Sequence, residues 1–351
     1  MRATMMTLLM LAAAVCVGCD LVVAPGDTLT LRGGVEVFGS TGDGVVRAVP
    51  AVTVDRGTLI VDDALLLGGL TIAESPELLP PELGGGIVLS QPGIRATVAS
   101  LRLGSLARVV GGPAQDRVVR DVQVIASSGI VASGSRILVE PGARVIGGTA
   151  TTPNDPMGAQ GWRTDSGAGI LMTGRSDLTV TGGHIQGGVR AFPLVVIVPG
   201  DGLPNGPAVS SVSSSVTISG GFVESLQVVN SRVEITGGTI RGLIQTRDVE
   251  QPRIDPLLPG PTCTQIRGGS IEGILFASGR ITLVGSGFNL PLGRVPLEPS
   301  TNLLRITGTL ENGDPLSVVL RTDLRLTDDA ELTLAAPGTE ACQDAVIPAP
   351  F

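Results

Sequence analysis

The feature that most limits what this chain can fold into is a 17-residue repeat in its middle. Ser215-Val216-Thr217-Ile218-Ser219-Gly220-Gly221-Phe222-Val223-Glu224-Ser225-Leu226 aligns with Arg232-Val233-Glu234-Ile235-Thr236-Gly237-Gly238-Thr239-Ile240-Arg241-Gly242-Leu243, aliphatic on aliphatic throughout. A third copy begins Thr264-Gln265-Ile266-Arg267-Gly268-Gly269-Ser270-Ile271, and a degenerate fourth, Ile281-Thr282-Leu283-Val284-Gly285, starts 17 residues later. Upstream, Leu178-Thr179-Val180-Thr181-Gly182-Gly183-His184-Ile185 belongs to the same series, and stretches 143–148 and 29–34 match it more weakly.

Each copy reads as a short strand, a Gly-Gly corner and a second short strand. Val216 and Ile218, or Val233 and Ile235, alternate with polar residues, the period of a strand with one buried face. The glycines let the backbone take a positive φ where a Cβ would clash. Such a unit cannot close a core alone. Burying four aliphatics gains about 6 to 10 kcal/mol, against an ordering cost of about 1 to 2 kcal/mol for every backbone residue. The copies must therefore stack, sharing ladder hydrogen bonds and a continuous interior. With 50 Gly and 25 Pro among 351 residues, and β-branched aliphatics at the repeat positions, a solenoid of helices is excluded.

These residues resemble the right-handed parallel β-helix proteins, the pectate-lyase-like superfamily of secreted carbohydrate-active enzymes and surface proteins. The resemblance covers 178–285 well and the earlier half loosely. It implies an all-β, right-handed parallel β-helix over residues 19–299. Three stretches rich in Pro, Gly, Asp or Asn interrupt the rungs as insertion loops, at 149–166, 191–207 and 246–261. At equivalent corners of a β-helix such insertions would wall off one side, where enzymes of this fold keep their clefts; plain loop decoration is the alternative. Residues 21–54 are candidates for an N-terminal cap over the open strand edges. Near the other end, Leu304-Arg305-Ile306-Thr307-Gly308-Thr309-Leu310, the turn Asn312-Gly313 and alternation over 316–320 predict a β-hairpin. With further strands near 324–326 and 331–334, a small antiparallel cap is expected over 300–340, followed by a tail at 341–351. The segments 284–290 and 306–316 look like the C-terminal part of exported bacterial β-helix proteins. Many of those end in a sorting helix with a basic tail, and the absence of one before Phe351 fits anchoring at the other end.

Residues 1–18 have one positive charge, Arg2, then an uncharged apolar stretch and small residues before Cys19. This is the layout of a secretory signal, too short to span a bilayer stably. Cys16-Val17-Gly18-Cys19 resembles a bacterial lipobox, with Cys16 where Leu is usual. It implies lipid attachment at Cys19 and a place in the bacterial cell envelope, periplasm or surface; ordinary signal cleavage nearby is the alternative. No other stretch reaches the roughly 18 apolar residues of a membrane helix, and 192–198 reads as a buried strand. The membrane is thus a partner through a lipid anchor alone. Beyond the signal, Cys263 and Cys342 either pair in an oxidising compartment or stand as separate thiols.

The chain is acidic, with a formal charge of −8, no Lys and its Arg scattered, so nucleic acid is not an expected partner. A lyase of the resembling class would need clustered carboxylates for Ca²⁺ and a basic residue to take a sugar proton. Only Asp62-Asp63 and Asp328-Asp329 are paired here, and both read as turn or edge residues. A polygalacturonase-like set would need Gly-His-Gly and Arg-Ile-Lys. Gly183-His184-Ile185 departs from the first and the second is missing. His184 takes the slot held by Phe222, Thr239 and Ser270 in the other copies, which predicts an outward surface position. One His and no Gly-x-Ser-x-Gly leave no Ser-His-Asp set, and structural zinc lacks its ligands. No cofactor, metal or catalytic residue is expected. Among the 7 aromatics, Trp162 in Gly161-Trp162-Arg163 is the best candidate for stacking on a sugar, with packing onto the coil as the plainer role. Ser219, Thr236 and Thr181 form an outward ladder too short for an ice-binding array. Three functions follow, in order: a non-enzymatic envelope protein presenting its faces to polysaccharide or another protein; a polysaccharide lyase or glycoside hydrolase with an unrecognised site; and a carbohydrate-binding module.

Overall fold

The structure is a computed structural model that describes residues 15–18, 21–40, 49–69, 71–73, 87–89, 91–116, 123–151, 164–191, 206–245, 262–299, 303–322 and 326–342. These residues are all-β, without a helix. Most strands stack in parallel, and antiparallel strands appear only near the C-terminus. The chain divides into two compact units. The first takes in Met1–Ala132, Gly142–Leu171 and Ile185–Val209, the second Ser133–Pro141, Met172–His184 and Ser210–Phe351.

In the first unit the chain lays down three short strands in succession and returns to stack each on its counterpart. Leu21–Val23 pairs with Val52–Asp55, which pairs with Ile94–Thr97. Thr28–Leu31, Thr58–Val61 and Ser100–Leu103 make a second column. The third runs Val15–Val17, Val35–Phe38, Ala64–Leu67, Arg108–Val110 and Arg144–Ile146. Register puts like on like: Leu59 faces Leu29 and Leu101, and Leu66 faces Val37 and Val109. Val37, Leu59, Leu66, Leu101 and Val109 point inward and are buried, each contributing about 1.5–3 kcal/mol. The described strands between residues 21 and 54 are therefore in-register members of the stack, not a separate cap. The weak copy at 143–148 is also displaced: Arg144–Ile146 belongs to the third column, after a corner, rather than before one.

From Val52 to Ile94 is 42 positions, far more than three short strands use. The surplus leaves after the third strand and forms strands of its own. Thr71–Ala73, Ala114–Asp116, Ala150–Thr151 and Arg190–Ala191 pair in parallel, as do Ile87–Leu89, Gln123–Ile125 and Thr164–Asp165. The expected insertion loops at 149–166 and 191–207 are thus partly strands, in a row of four excursions from one corner. Chain leaves and returns through a neck where only glycine fits. A Cβ on Gly68, Gly111, Gly147 or Gly187 would stand 1.7–2.1 Å from the carbonyl oxygen of Gln91, Ser127, Gly167 or Gly206 respectively.

The second unit carries the repeat, in the register its sequence predicts. Leu178 faces Val216, Val216 faces Val233, Val233 faces Thr264 and Thr264 faces Ile281. Leu226 faces Leu243, which faces Ile274. The Gly-Gly corners lie on one another at backbone contact: a Cβ on Gly220 or Gly237 would meet the carbonyl oxygen of Thr181 or Ser219 at 2.4 Å. The second glycine of each pair holds φ between 82° and 88°. Thr181, Ser219 and Thr236 donate across to Val139, Val180 and Ile218 carbonyls, stapling successive turns.

Another corner carries its own rule. Gly134, Arg175, Ser213 and Asn230 have positive φ, and a buried serine follows each one: Ser135, Ser176, Ser214 and Ser231. Ser135, Ser214 and Ser231 donate to the carbonyl two residues back, at 2.8–2.9 Å. Ser176 reaches back three, to Thr173. The small side chain satisfies a buried polar backbone inside a tight bend. The 246–261 insertion follows Leu243–Gln245 and precedes Cys263–Ile271, so it leaves from this corner, not from the one that launches the excursions of the first unit.

At the C-terminus the hairpin forms, with Leu304 facing Leu320 and Gly313 at φ 93°. The cap is only half antiparallel, however. Pro315–Thr322 and Glu331–Ala335 continue the parallel stack on Gly273–Phe276 and Arg280–Ser286. Only Leu303–Leu310 and Gly293–Val295 run antiparallel, one over each of those columns. An antiparallel strand can end a parallel ladder without a crossover connection, so it closes each edge.

Candidate functional site

His184 sits directly after the Gly182–Gly183 corner, half-buried and pointing away from the core, as its slot in the repeat predicts. Its ring lies against Phe222, the next residue of that column, with centroids 4.7 Å apart and planes inclined by 58°. The corner sets this contact, because the Phe222 amide donates to the Gly183 carbonyl and so fixes the stacking of the two turns. A tilted aromatic pair of this kind is worth about 0.5–1.5 kcal/mol beyond its buried area. Thr239 and Ser270 continue the column. Two residues after Phe222, Glu224 has one carboxylate oxygen buried without a hydrogen-bond partner. The His184–Phe222 pair makes a partly exposed aromatic edge, suited to contact but supplying no nucleophile. Trp162 and Cys19 lie outside the described residues, so the structure places neither.

Among the described residues, neither Asp62-Asp63 nor Asp328-Asp329 belongs to a carboxylate cluster. Asp62 and Asp63 occupy a turn, where Asp63 has φ 58° and Asp62 takes a 3.9 Å ion pair from Arg32 and a hydrogen bond from Ser105. Asp329 accepts from Thr327 within its own turn. Asp177 lies in register between Arg136 and Ser215, and burial raises its carboxyl above the usual aspartate value despite the opposing charge of Arg136. Among the described residues, no group of three or more His, Cys, Asp or Glu side chains could hold a metal ion, and no helix is long and apolar enough to cross a membrane.

The densest polar cluster joins the hairpin turn to the last Gly-Gly corner. Arg267 donates to Glu311 and to the Thr339 carbonyl, with Glu234 3.9 Å away. Glu311 also accepts from the Gly338 amide, and these bonds hold its carboxyl below the usual glutamate range, the Arg267 bond foremost. Asp314 accepts from Asn312 and from the Gly269 amide, which lowers its carboxyl likewise. Asn312 reaches the Thr236 carbonyl at 3.2 Å. Every member is engaged within the protein, so the cluster reads as a clamp. Cys263 and Cys342 stand at disulfide distance, Cα atoms 5.6 Å apart.

Sequence reasoning missed three things here: the His184–Phe222 contact, the Arg267–Glu311 clamp and the serine corner. The first was within reach, since both residues fill one repeat slot 38 positions apart. The clamp was not, because it joins residues 44 apart through a hairpin whose docking no local pattern encodes. Comparison of the chain with family models, with curated proteins and with solved structures found no match.

Proposed function

We propose that this chain is a right-handed parallel β-helix of the bacterial envelope, exported by residues 1–18, lipid-anchored at Cys19, and serving as a non-enzymatic scaffold that presents its outer faces to polysaccharide or to another envelope protein. One observation supports this reading above others: the excursions of the first unit leave from a single corner and pair strand on strand into two further parallel ladders. Chain committed in this way extends a stiff surface sideways at regular intervals, which serves recognition along a polymer. Incubating the protein with a panel of acidic and neutral glycans tests it. No change in the glycans is expected, and released reducing ends or unsaturated products would falsify the non-enzymatic reading. For the anchor, palmitate labelling should be lost in Cys19→Ser. Processing before Cys19 would also remove the edge strand Val15–Val17, whose two valines are 61% and 77% exposed, leaving Val35–Phe38 as the end of that column.

A carbohydrate-binding role without turnover is the second reading, favoured by the partly exposed His184–Phe222 pair. Sugar rings stack on aromatic faces. Retention on immobilised glycan should then fall in Phe222→Ala and in Trp162→Ala. Unchanged retention in both would remove this reading and leave the scaffold.

A further inference from the structure

The last described segment, 336–342, lies along one strand, Cys263–Ile271, and that strand meets it with every second residue. Cys263 bonds Cys342, Gln265 donates to the Thr339 carbonyl at 2.9 Å, and Arg267 donates to the same carbonyl at 2.9 Å. The intervening Thr264 and Ile266 face the core and are fully buried. Cys263 thus occupies an outward position, and its burial comes from the strap that Cys342 ends. Residues 336–340 of the strap are themselves exposed, and Cys342 holds a left-handed backbone, φ 68°, that a residue with a Cβ adopts only when its surroundings impose it. In the parallel register Cys263 stands between Arg232 and Arg280. Adjacent strands lie about 4.8 Å apart, so the two arginines start from backbone positions on either side of Cys263.

We propose that Cys263–Cys342 is a thiol-exchange site whose reduction by a dithiol releases the 336–342 strap while the stacked strands remain intact. One thiolate of the dithiol attacks Sγ of Cys342 and forms a mixed disulfide, and the bond to Cys263 breaks with Cys263 leaving as a thiolate. Positive charge on both sides favours that departure, because a thiolate next to Arg is stabilised and a better leaving group leaves faster. The second thiol of the dithiol then attacks its own sulfur in the mixed disulfide, the dithiol departs as a cyclic disulfide, and Cys342 is freed. Two electrons and two protons pass to the protein. What remains of the strap's hold among the described residues is the bonds of Gln265 and Arg267 to the Thr339 carbonyl and the Gly338–Glu311 bond.

The experiment treats the oxidised full-length protein with dithiothreitol and follows three signals. These are alkylation of Cys263 and Cys342 by mass spectrometry, cleavage after Glu340 by a glutamate-specific protease, and far-UV circular dichroism. Reduction should raise the cleavage rate after Glu340 at least tenfold with the β signal unchanged. The reduction rate should fall several-fold between low and high salt as the arginine charges are screened, and again in Arg232→Gln/Arg280→Gln at low salt. Loss of the β signal together with reduction would show that the bond holds the stack rather than the strap. A reduction rate indifferent to salt would remove the role of the arginines. The salt series uses the unaltered chain and stands even if the double variant does not fold.

Discussion

Turns of the first unit and of the second solve one problem with different amounts of chain. Val52 to Ile94 takes 42 residues, Val216 to Val233 takes 17, and both intervals return an inward valine or isoleucine to its own column. The difference is where surplus chain leaves. In the first unit it departs through a glycine neck after the third strand, pairs with its neighbours outside and comes back. In the second unit the 17-residue turns carry no excursion, and the serine corner closes directly. A stacked parallel sheet therefore tolerates long insertions as long as entry and exit meet at one corner. Each added residue outside costs little, since loop closure grows only slowly with length, whereas the inward column accepts no slip.

The neck should show the largest effect. Gly147→Ala puts a Cβ 2.0 Å from the Gly167 carbonyl oxygen, backbone against backbone, and should destabilise by about 3 kcal/mol or more in urea unfolding. Gly242→Ala, with nothing within 4 Å and no positive φ, should change stability by less than about 0.5 kcal/mol. Equal effects would abolish the distinction between neck and open glycines. Next come the core columns. Leu101→Ala in a long turn and Ile235→Ala in a short one should each cost about 2–5 kcal/mol. A loss at Leu101 well below that at Ile235 would mean that long turns depend less on their interior.

Smaller effects come from charge. The folded Glu311 carboxyl lies below its unfolded value of 4.5, so its bonds to Arg267 and Gly338 stabilise fully above that pH and are lost as pH falls through the lower folded value. Acid unfolding should begin at higher pH in the unaltered protein than in Glu311→Gln when each is scaled to its neutral stability; coincident profiles would show that the clamp is not linked to pH. Asp177 has the opposite sign. Its folded value is raised above 3.8, so the ionised form is penalised at neutral pH and the penalty disappears below 3.8. Asp177→Asn should unfold at an equal or slightly higher urea concentration at pH 7, and a clear loss there would mean that attraction from Arg136 outweighs desolvation.

Much of the second unit was legible because two of its turns carry nothing beyond the repeat. The offset of 17 is the register itself from Val216 to Val233 and from Thr264 to Ile281, and Leu178 stands in the same column. The first unit was obscure because excursions of unequal length hide its period, and because its corners do not all use glycine. Asp63 and Leu106 hold φ 58° and 65° where Gly34 and Gly142 serve elsewhere, at roughly 1–2 kcal/mol each. Thr264 takes an inward slot that Val216, Val233 and Ile281 fill with aliphatics, and it donates at 2.8 Å to buried Gln245, whose amide in turn reaches the Ser278 carbonyl. A polar inward residue is acceptable once its partner is supplied from another strand. The cap misled for a different reason: alternation and Asn312-Gly313 announce a hairpin, but pairing direction on the outer side of Pro315–Thr322 is not a local property.

Alone, the order of residues determined the all-β class, the spacing of the inward columns and the corners that need glycine, because those depend on side-chain period and on backbone sterics within a few residues. Tertiary structure decided which corner releases chain, which strands close the end, and that Cys263 meets Cys342. Each of these requires the positions of groups tens of residues apart, and such positions exist only once the turns have stacked.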